Sequence, residues 1–282
     1  MLDSSAGVDQ SFTSLSWVGE ADSLPPPTNI LGVGISAINM DMAVRTISRW
    51  IRAREKHYVC ITGVHGVMES QRDAGLKAIH NAAGMATPDG MPLVVLSRLL
   101  GKSHVDRVYG PDLMLEVCRT GEDSGIRHYL YGATPATLAN LERNLRQKFP
   151  RIQIAGVYSP PFRPLTAEEV QDVTDRINQS AADIVWVGLS TPKQEKWMHQ
   201  FRPVVDAPVM VGVGAAFDFH AGQVSQAPRW MQRSCLEWFY RLTQEPKRLW
   251  RRYLINNPAF LFLICLQFLG LRRFPLPETT GN

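Results

Sequence analysis

The chain has 282 residues, 45% of them hydrophobic and 20% charged, with four cysteines and a formal net charge of +4. That length admits one large α/β domain with an appendage, or two small domains, and the hydrophobic share supports a sizeable core. Cys60, Cys118, Cys235 and Cys265 show no paired spacing, which argues against a structural zinc site and for a reduced compartment.

Residues 1–28 are rich in Ser, Asp and Pro, with neither the basic start nor the apolar stretch of a signal peptide. They are expected to form a flexible N-terminal arm, and nothing in them points to export. A catalytic body is expected over 29–230. It opens with a short strand at 30–35, containing Gly32 and Gly34, and a helix capped near Asn39. That helix places Met40, Ala43, Val44, Ile47, Trp50 and Ile51 on one face, the periodicity of a core helix. Residues 58–62 read as a buried strand with Gly63-Val64-His65-Gly66 at its carboxyl end, where ligands of open α/β sheets settle. His65 there is a base, a polar pocket wall or a hydrogen-bonded turn residue.

After a helix ending near Ala83 comes Thr87-Pro88-Asp89-Gly90, with Met91-Pro92 opening the next helix. Pro-Asp-Gly is turn chemistry in its own right. A short strand before it would also bring the Asp89 carboxylate to the same sheet edge as His65, where burial could tune it as a general base. Arg107 and Asp112 shape a pocket or form a helix-start salt bridge, and the helix after them is expected to run through Cys118. The composition break at 120–127, with Gly121, Asp123 and Gly125, marks the meeting of two half-domains.

The second half alternates strands and helices more regularly. A strand at 127–131 leads through Gly132-Ala133-Thr134-Pro135 into a helix ending at Lys148, and a strand follows at 152–157. Gly132 either lets backbone approach a nucleotide or makes a plain turn. Thr166 and Glu169 spell a capping box for a helix to about Asn178. The apolar run from Ile184 to Val187 is a central strand, Gly188 turns the backbone, and Thr191-Pro192-Lys193-Gln194 starts a helix. Thr191 is expected to cap it, with Pro192 at the first helical position and Gln194 completing a capping box. Free N–H groups at that terminus would attract phosphate, which suggests a nucleotide-diphosphate site. A strand at 208–213 and Gly214-Ala215-Ala216-Phe217-Asp218-Phe219 close the series. This alternation implies a Rossmann-like, mostly parallel α/β sheet with helices on both faces. Neither GxGxxG after a strand nor a Walker A sequence is present, so dinucleotide and P-loop readings are weak.

Residues 231–282 form an appendage of different character. Nine of the 30 basic residues but only Glu237 and Glu245 of the acidic ones lie within 226–273, a local +7 against −3 elsewhere. Helices are expected over 234–244 and from Pro246 to Asn257-Pro258, interleaving arginines with aromatics. The apolar segment 260–271 is too short for a membrane span of about 20 residues and suits an interfacial segment or a core-packed helix, with Arg272 and Arg273 positioned for lipid headgroups. The alternation of aromatics and the apolar tail argue against nucleic acid as the partner of this basic stretch.

The blocks Thr87-Pro88-Asp89-Gly90-Met91-Pro92, Asp106-Arg107-Val108-Tyr109-Gly110, Gly188 through Trp197, Gly212-Val213-Gly214-Ala215-Ala216-Phe217-Asp218, and Leu236-Glu237-Trp238 through Arg251 resemble the WecG/TagA/CpsF glycosyltransferases in order and spacing. The resemblance covers about residues 30–258. It implies inverting, metal-independent transfer, without a cofactor, of N-acetylmannosamine, its uronic acid or glucose. The donor would be a UDP-sugar and the acceptor a polyprenyl-diphosphate-linked sugar at the cytoplasmic face of the cell membrane, in synthesis of cell-surface polysaccharide. It puts the catalytic base on Asp89, a donor-pocket glutamine on Gln194, and diphosphate- or acceptor-binding arginines on Arg241, Arg248 and Arg251. Many members read Thr-any-Asn where this chain has Thr62-Gly63-Val64. Thr62 is kept, the Asn is lost, and His65 stands next door to replace it. The chemistry of the residues agrees: one carboxylate can take the acceptor proton, and arginine forks can neutralise a departing diphosphate without the absent Asp-any-Asp metal motif. The alternative reading is a non-catalytic, membrane-associated nucleotide-sugar-binding protein, and either can form a homo-oligomer.

Overall fold

The computed structural model describes residues 24–277, so most of the expected N-terminal arm, residues 1–23, lies outside the described residues. The single strand expected at 30–35 is instead an antiparallel hairpin of β1 (Thr28–Ile30) and β2 (Val33–Ile35). Leu31 and Gly32 both take positive φ, 53° and 77°, the twist that a two-residue hairpin turn requires. Helix α1 (Met40–Ala53) starts as expected at Asn39, whose side chain accepts from the Met42 N–H at 3.0 Å.

There follow β3 (His57–Thr62), α2 (Val64–Arg72), α3 (Ala74–Asn81), β4 (Met85–Pro88) and α4 (Met91–Leu99). Helix α5 (Gly110–Ser124) runs a turn and a half beyond Cys118, until Gly125 at φ 68° ends it; residues 120–127 are therefore a helix end and the lead into β5 (Arg127–Gly132). Next come α6 (Pro135–Lys148), β6 (Gln153–Tyr158), and α7 (Ala167–Gln179) with the Thr166–Glu169 capping box formed in both directions. β7 (Ile184–Gly188), α8 (Lys193–Phe201), β8 (Val209–Gly212) and α9 (Ala216–His220) complete the body.

Strands β3 to β8 pair in the order β4-β3-β8-β7-β5-β6, every pair parallel. Side chains alternate between two apolar layers, as a sheet covered on both faces requires. Val59, Leu130, Trp186 and Val211 face α1, α5, α6 and α9, whereas Cys60, Tyr131, Val185 and Met210 face α7 and α8. All six carboxyl ends, including those of β3, β4, β7 and β8, therefore lie along one edge.

The remaining chain is helical: α10 (Arg229–Arg233), α11 (Glu237–Gln244), α12 (Pro246–Leu254) and α13 (Asn256–Phe268). The one helix expected at 234–244 is shorter, because Cys235 at φ 60° separates α10 from α11. Pro258 does not end a helix; it sits in the first turn of α13, where its missing N–H costs nothing. Phe260 and Ile264 bury one side of α13 against Ile30, Leu31, Val67 and Leu93. Gln267 reinforces the contact, accepting from the Leu31 N–H and donating to the Asn29 carbonyl, both at 2.9 Å. On the other side Leu261 and Phe262 are each 63% exposed and Leu269 is 70% exposed. No helix among the described residues is long and apolar enough to cross a membrane.

Candidate active site

Asp89 follows β4 directly, and its N–H is held by the carbonyls of Thr62 and Thr87, each at 3.0 Å. This pins the carboxylate between the ends of β3 and β4. Burial raises its pKa to about 6; the Arg107 charge works against that, Glu237 adds to it, and a hydrogen bond from the Gly110 N–H and the charge of Arg241 oppose it. Glycine at 110 lets this loop pack closely on β3, for a Cβ there would lie 3.2 Å from Ile61. Asp89 is thus ionised at neutral pH yet far more basic than a surface carboxylate, and its Oδ1 is buried without a hydrogen-bond partner.

Arg107 is the hub beside it. Its Nε donates to the Asp89 carbonyl at 2.5 Å, its Nη1 to Gln232 at 3.0 Å, and its Nη2 pairs with Glu237 while lying 4.0 Å from Asp89 Oδ1. The guanidinium also lies 4.0 Å over the Tyr109 ring. The helix-start salt bridge expected between Arg107 and Asp112 is absent among the described residues; Arg107 reaches the appendage instead.

Helices α11 and α12 bring further cations. Arg241 acts on Asp89 and also on Asp218, whose pKa burial raises and the charges of Arg248 and Arg241 pull back. Arg248 itself pairs with Glu245 and is exposed. Arg251 is exposed, its guanidinium 5.2 Å from the Trp250 ring centre, and its neighbour Arg252 is the one turned inward, held below its ordinary pKa chiefly by burial. His65 lies on this inner side with Nδ1 3.3 Å from the Asn256 amide, and burial together with Arg252, Arg72 and Arg241 lowers its pKa to about 3. Of the two candidate bases, the one titrating near 6 can accept a proton at neutral pH and the one near 3 scarcely can. Thr62 is buried, its hydroxyl donating to the Cys60 carbonyl at 3.1 Å.

A second group of residues surrounds a cleft of about 870 Å³ outside the carboxyl ends of β5 and β7, with Tyr131, Thr134, Phe162, Ser190, Lys193 and Asp218 on its walls. Gly188 lines it, and a Cβ there would stand 2.6 Å from the Phe217 ring. Gly132 sits just behind at φ 125°, where a Cβ would be 2.5 Å from the Gly188 carbonyl oxygen, so close packing of the two strand ends requires glycine at 132. Gln194 does not close a capping box: α8 starts at Lys193, which puts Gln194 one position too early, and no side chain caps the helix. It turns inward instead, 2% exposed, donating to the Gly212 carbonyl and to Glu195 Oε1, both at 3.1 Å. Thr191, the expected cap, donates to the same Glu195 oxygen at 2.8 Å. Gln194 therefore ties the start of α8 to the end of β8, and buried Glu195 holds both Gln194 and the Thr191 loop after β7. Among the described residues no three His, Cys, Asp or Glu side chains converge as metal ligands.

The expected residues thus fall into two neighbouring groups. Asp89, Thr62, His65 and Arg241 cluster around the ends of β3 and β4, while Gly132, Gly188 and Gln194 sit at β5, β7 and β8; Arg248 acts on Asp218 at the cleft wall. Sequence reasoning missed Arg252, Glu237 and the hub role of Arg107. The conjunction of Asp106-Arg107-Val108-Tyr109-Gly110 with Leu236-Glu237-Trp238 was the available signal, the single basic residue of one motif and the single acidic residue of the other.

A half-buried, basic carboxylate ringed by arginines at a parallel-sheet edge, beside an open cleft, is the equipment of a group-transfer enzyme, and comparison with known proteins specifies the group: this is a glycosyltransferase. The model of the Glycosyl transferase WecG/TagA/CpsF family matches residues 28–274, and the chain belongs to that family. A Bacillus subtilis protein named N-acetylglucosaminyldiphosphoundecaprenol N-acetyl-beta-D-mannosaminyltransferase is 30% identical over 252 residues, 85% of this chain and 94% of its own. A Bacillus spizizenii protein of the same name is 34% identical over 186 residues, 66% of this chain and 70% of its own.

Proposed function

We propose that the protein is an inverting, metal-independent transferase that moves an N-acetylmannosamine-type sugar from a UDP-sugar to a polyprenyl-diphosphate-linked sugar during synthesis of cell-surface polysaccharide. The names of the two relatives support this sugar and acceptor class over glucose. Asp89 takes the proton of the acceptor hydroxyl as that oxygen attacks the anomeric carbon. The bond from this carbon to the β-phosphate oxygen breaks, and UDP leaves with the electron pair on the face opposite attack. Arg241 and Arg248, joined by the inward Arg252, neutralise the departing diphosphate, for which guanidinium forks are well shaped; Arg251 stands at the outer edge of this group. The nucleotide occupies the cleft beside β5 and β7, with its phosphates toward the first turn of α8 and Lys193.

The observation that carries this reading is the position of Arg241, its guanidinium 5.8 Å from the ring centre of Phe219, next to Asp218 in the cleft wall, and near enough to Asp218 and to the candidate base Asp89 for its charge to act on both. A cation shared by the two sites suits a leaving group that must span them. The exposed apolar side of α13, continued by Leu271 and followed by Arg272 and Arg273, supports docking of the appendage on the cytoplasmic membrane face, where a lipid-linked acceptor resides. Asp89→Asn tests the assignment: turnover should fall by about 10²-fold or more while UDP binding, measured by calorimetry, stays as in the wild type. Retained turnover would refute Asp89 as the base.

A further inference from the structure

A second cleft, of about 630 Å³, opens on the other side of Arg107, between the loop leading into α5 and helix α10. Its lining includes buried Tyr109 with Arg107, and the exposed Arg229 and Arg233. The two outer arginines are four residues apart on one helix and so project side by side, and neither has an ion-pair partner among the described residues, both being exposed. Tyr109, in the lining, is 5% exposed, yet its hydroxyl has no hydrogen-bond partner; Asp89 does not line the cleft but adjoins it through Arg107, whose guanidinium is 4.0 Å from the buried and equally unpartnered Asp89 Oδ1. Buried polar atoms are almost always partnered in a working protein, so two orphans that share Arg107 as a neighbour call for a hydroxyl-bearing ligand. Free guanidinium pairs at the far end call for a phosphate.

We propose that this cleft is the acceptor site, binding the sugar and diphosphate of the lipid-linked substrate. The assignment rests on the transferase reading above and adds a location to it. The reacting hydroxyl lies at Asp89, the sugar ring spans the space beside Tyr109, and the diphosphate one ring further out meets Arg229 and Arg233. The enzyme then keeps its two diphosphates apart. The donor's leaving group rests among Arg241, Arg248 and Arg252, and the acceptor's unreactive diphosphate rests on α10. Arg107, wedged between the clefts, separates them.

The test uses the full chain, UDP-N-acetylmannosamine, and two water-soluble acceptors without membrane: N-acetylglucosamine diphosphate bearing a short alkyl chain, and the alkyl glycoside lacking the diphosphate. Arg229→Gln and Arg233→Gln should each raise the KM for the diphosphate acceptor by ~10-fold, the size of one charge-assisted hydrogen bond. The donor KM and the KM for the glycoside should stay unchanged. Preservation of donor KM also shows that the variants are folded. An unchanged acceptor KM in variants that turn over, a rise in donor KM instead, or an equal rise in KM for the glycoside would overturn the assignment and leave the transferase reading standing. A wild-type protein that transfers sugar to neither acceptor would sink both.

Discussion

Glu237 offers the sharpest quantitative test of the electrostatics. It shares the Arg107 guanidinium with Asp89, so the two carboxylates stand roughly 6 Å apart and repel by ~3 kcal/mol at an effective dielectric of about 20. At about 1.4 kcal/mol per pH unit that is ~2 units. Side-chain exposures of 28% for Asp89 and 18% for Glu237 let solvent weaken the coupling, to an expected ~1 unit. Glu237→Gln should therefore lower the pKa of Asp89, and the freed Arg107 fork acts in the same direction. With Asp89 as base, kcat/KM in the wild type loses about tenfold per pH unit below about 6. In the variant that acid limb should lie ~1 unit lower, and activity at pH 5 should exceed that of the wild type relative to each plateau. The assay is UDP release under donor-limiting conditions from pH 4.5 to 8. An acid limb that stays in place or moves up would refute the three-body arrangement of Asp89, Arg107 and Glu237.

Other consequences are equally direct. Gly132→Ala forces a Cβ to 2.5 Å from the Gly188 oxygen at a φ of 125°, and should cost ~2 kcal/mol or more in urea unfolding; an unchanged midpoint would contradict the packing described. On α13, Leu261→Glu with Phe262→Glu should abolish sedimentation with anionic liposomes at little cost in stability, whereas Phe260→Ala should cost ~3–5 kcal/mol; liposome binding by the double variant would remove this face from the membrane account. Acid should destabilise the fold. His65 and His128 have pKa values lowered by burial to about 3 and about 4, so the stability they contribute is present above about 6.5 and is lost as pH falls. Asp89, raised to about 6, works in the opposite direction below that value, offsetting one histidine, so these three groups together should contribute ~1.4 kcal/mol per unit from pH 6 to 4; His57, His80 and His220, also lowered by burial, add to the loss, and Asp218, raised by burial, opposes it. Flat stability over that range would show that these histidines are not buried as described.

The parallel body was legible because its strands are short apolar runs broken by strong helix starts: Asn39 and Thr166 cap where expected, and Pro-Asp-Gly delivers Asp89 to the sheet edge. Residues 28–35 were not, since two three-residue strands carry too little periodicity to be told from one. Thr191 and Gln194 spell a capping box, but with α8 starting at Lys193 their side chains find a better partner in buried Glu195 and in the Gly212 carbonyl. The same limit explains Arg252. Neighbours on a helix point about 100° apart, and which of Arg251 and Arg252 faces Asp89 depends on how α12 docks through Leu249 and Tyr253, a tertiary fact. The link from Arg107 to Glu237 joins residues 130 apart in sequence, beyond any local pattern.

The central claim is that this chain transfers a sugar from UDP to a lipid-linked acceptor with Asp89 and arginines and no metal. The most direct measurement is UDP release by the purified protein with a polyprenyl-diphosphate-linked N-acetylglucosamine analogue, across a panel of UDP-sugars, with and without EDTA. The account predicts turnover with UDP-N-acetylmannosamine that survives EDTA and disappears in Asp89→Asn. Turnover that EDTA abolishes, or no turnover with any donor by a folded protein that binds UDP, would contradict it.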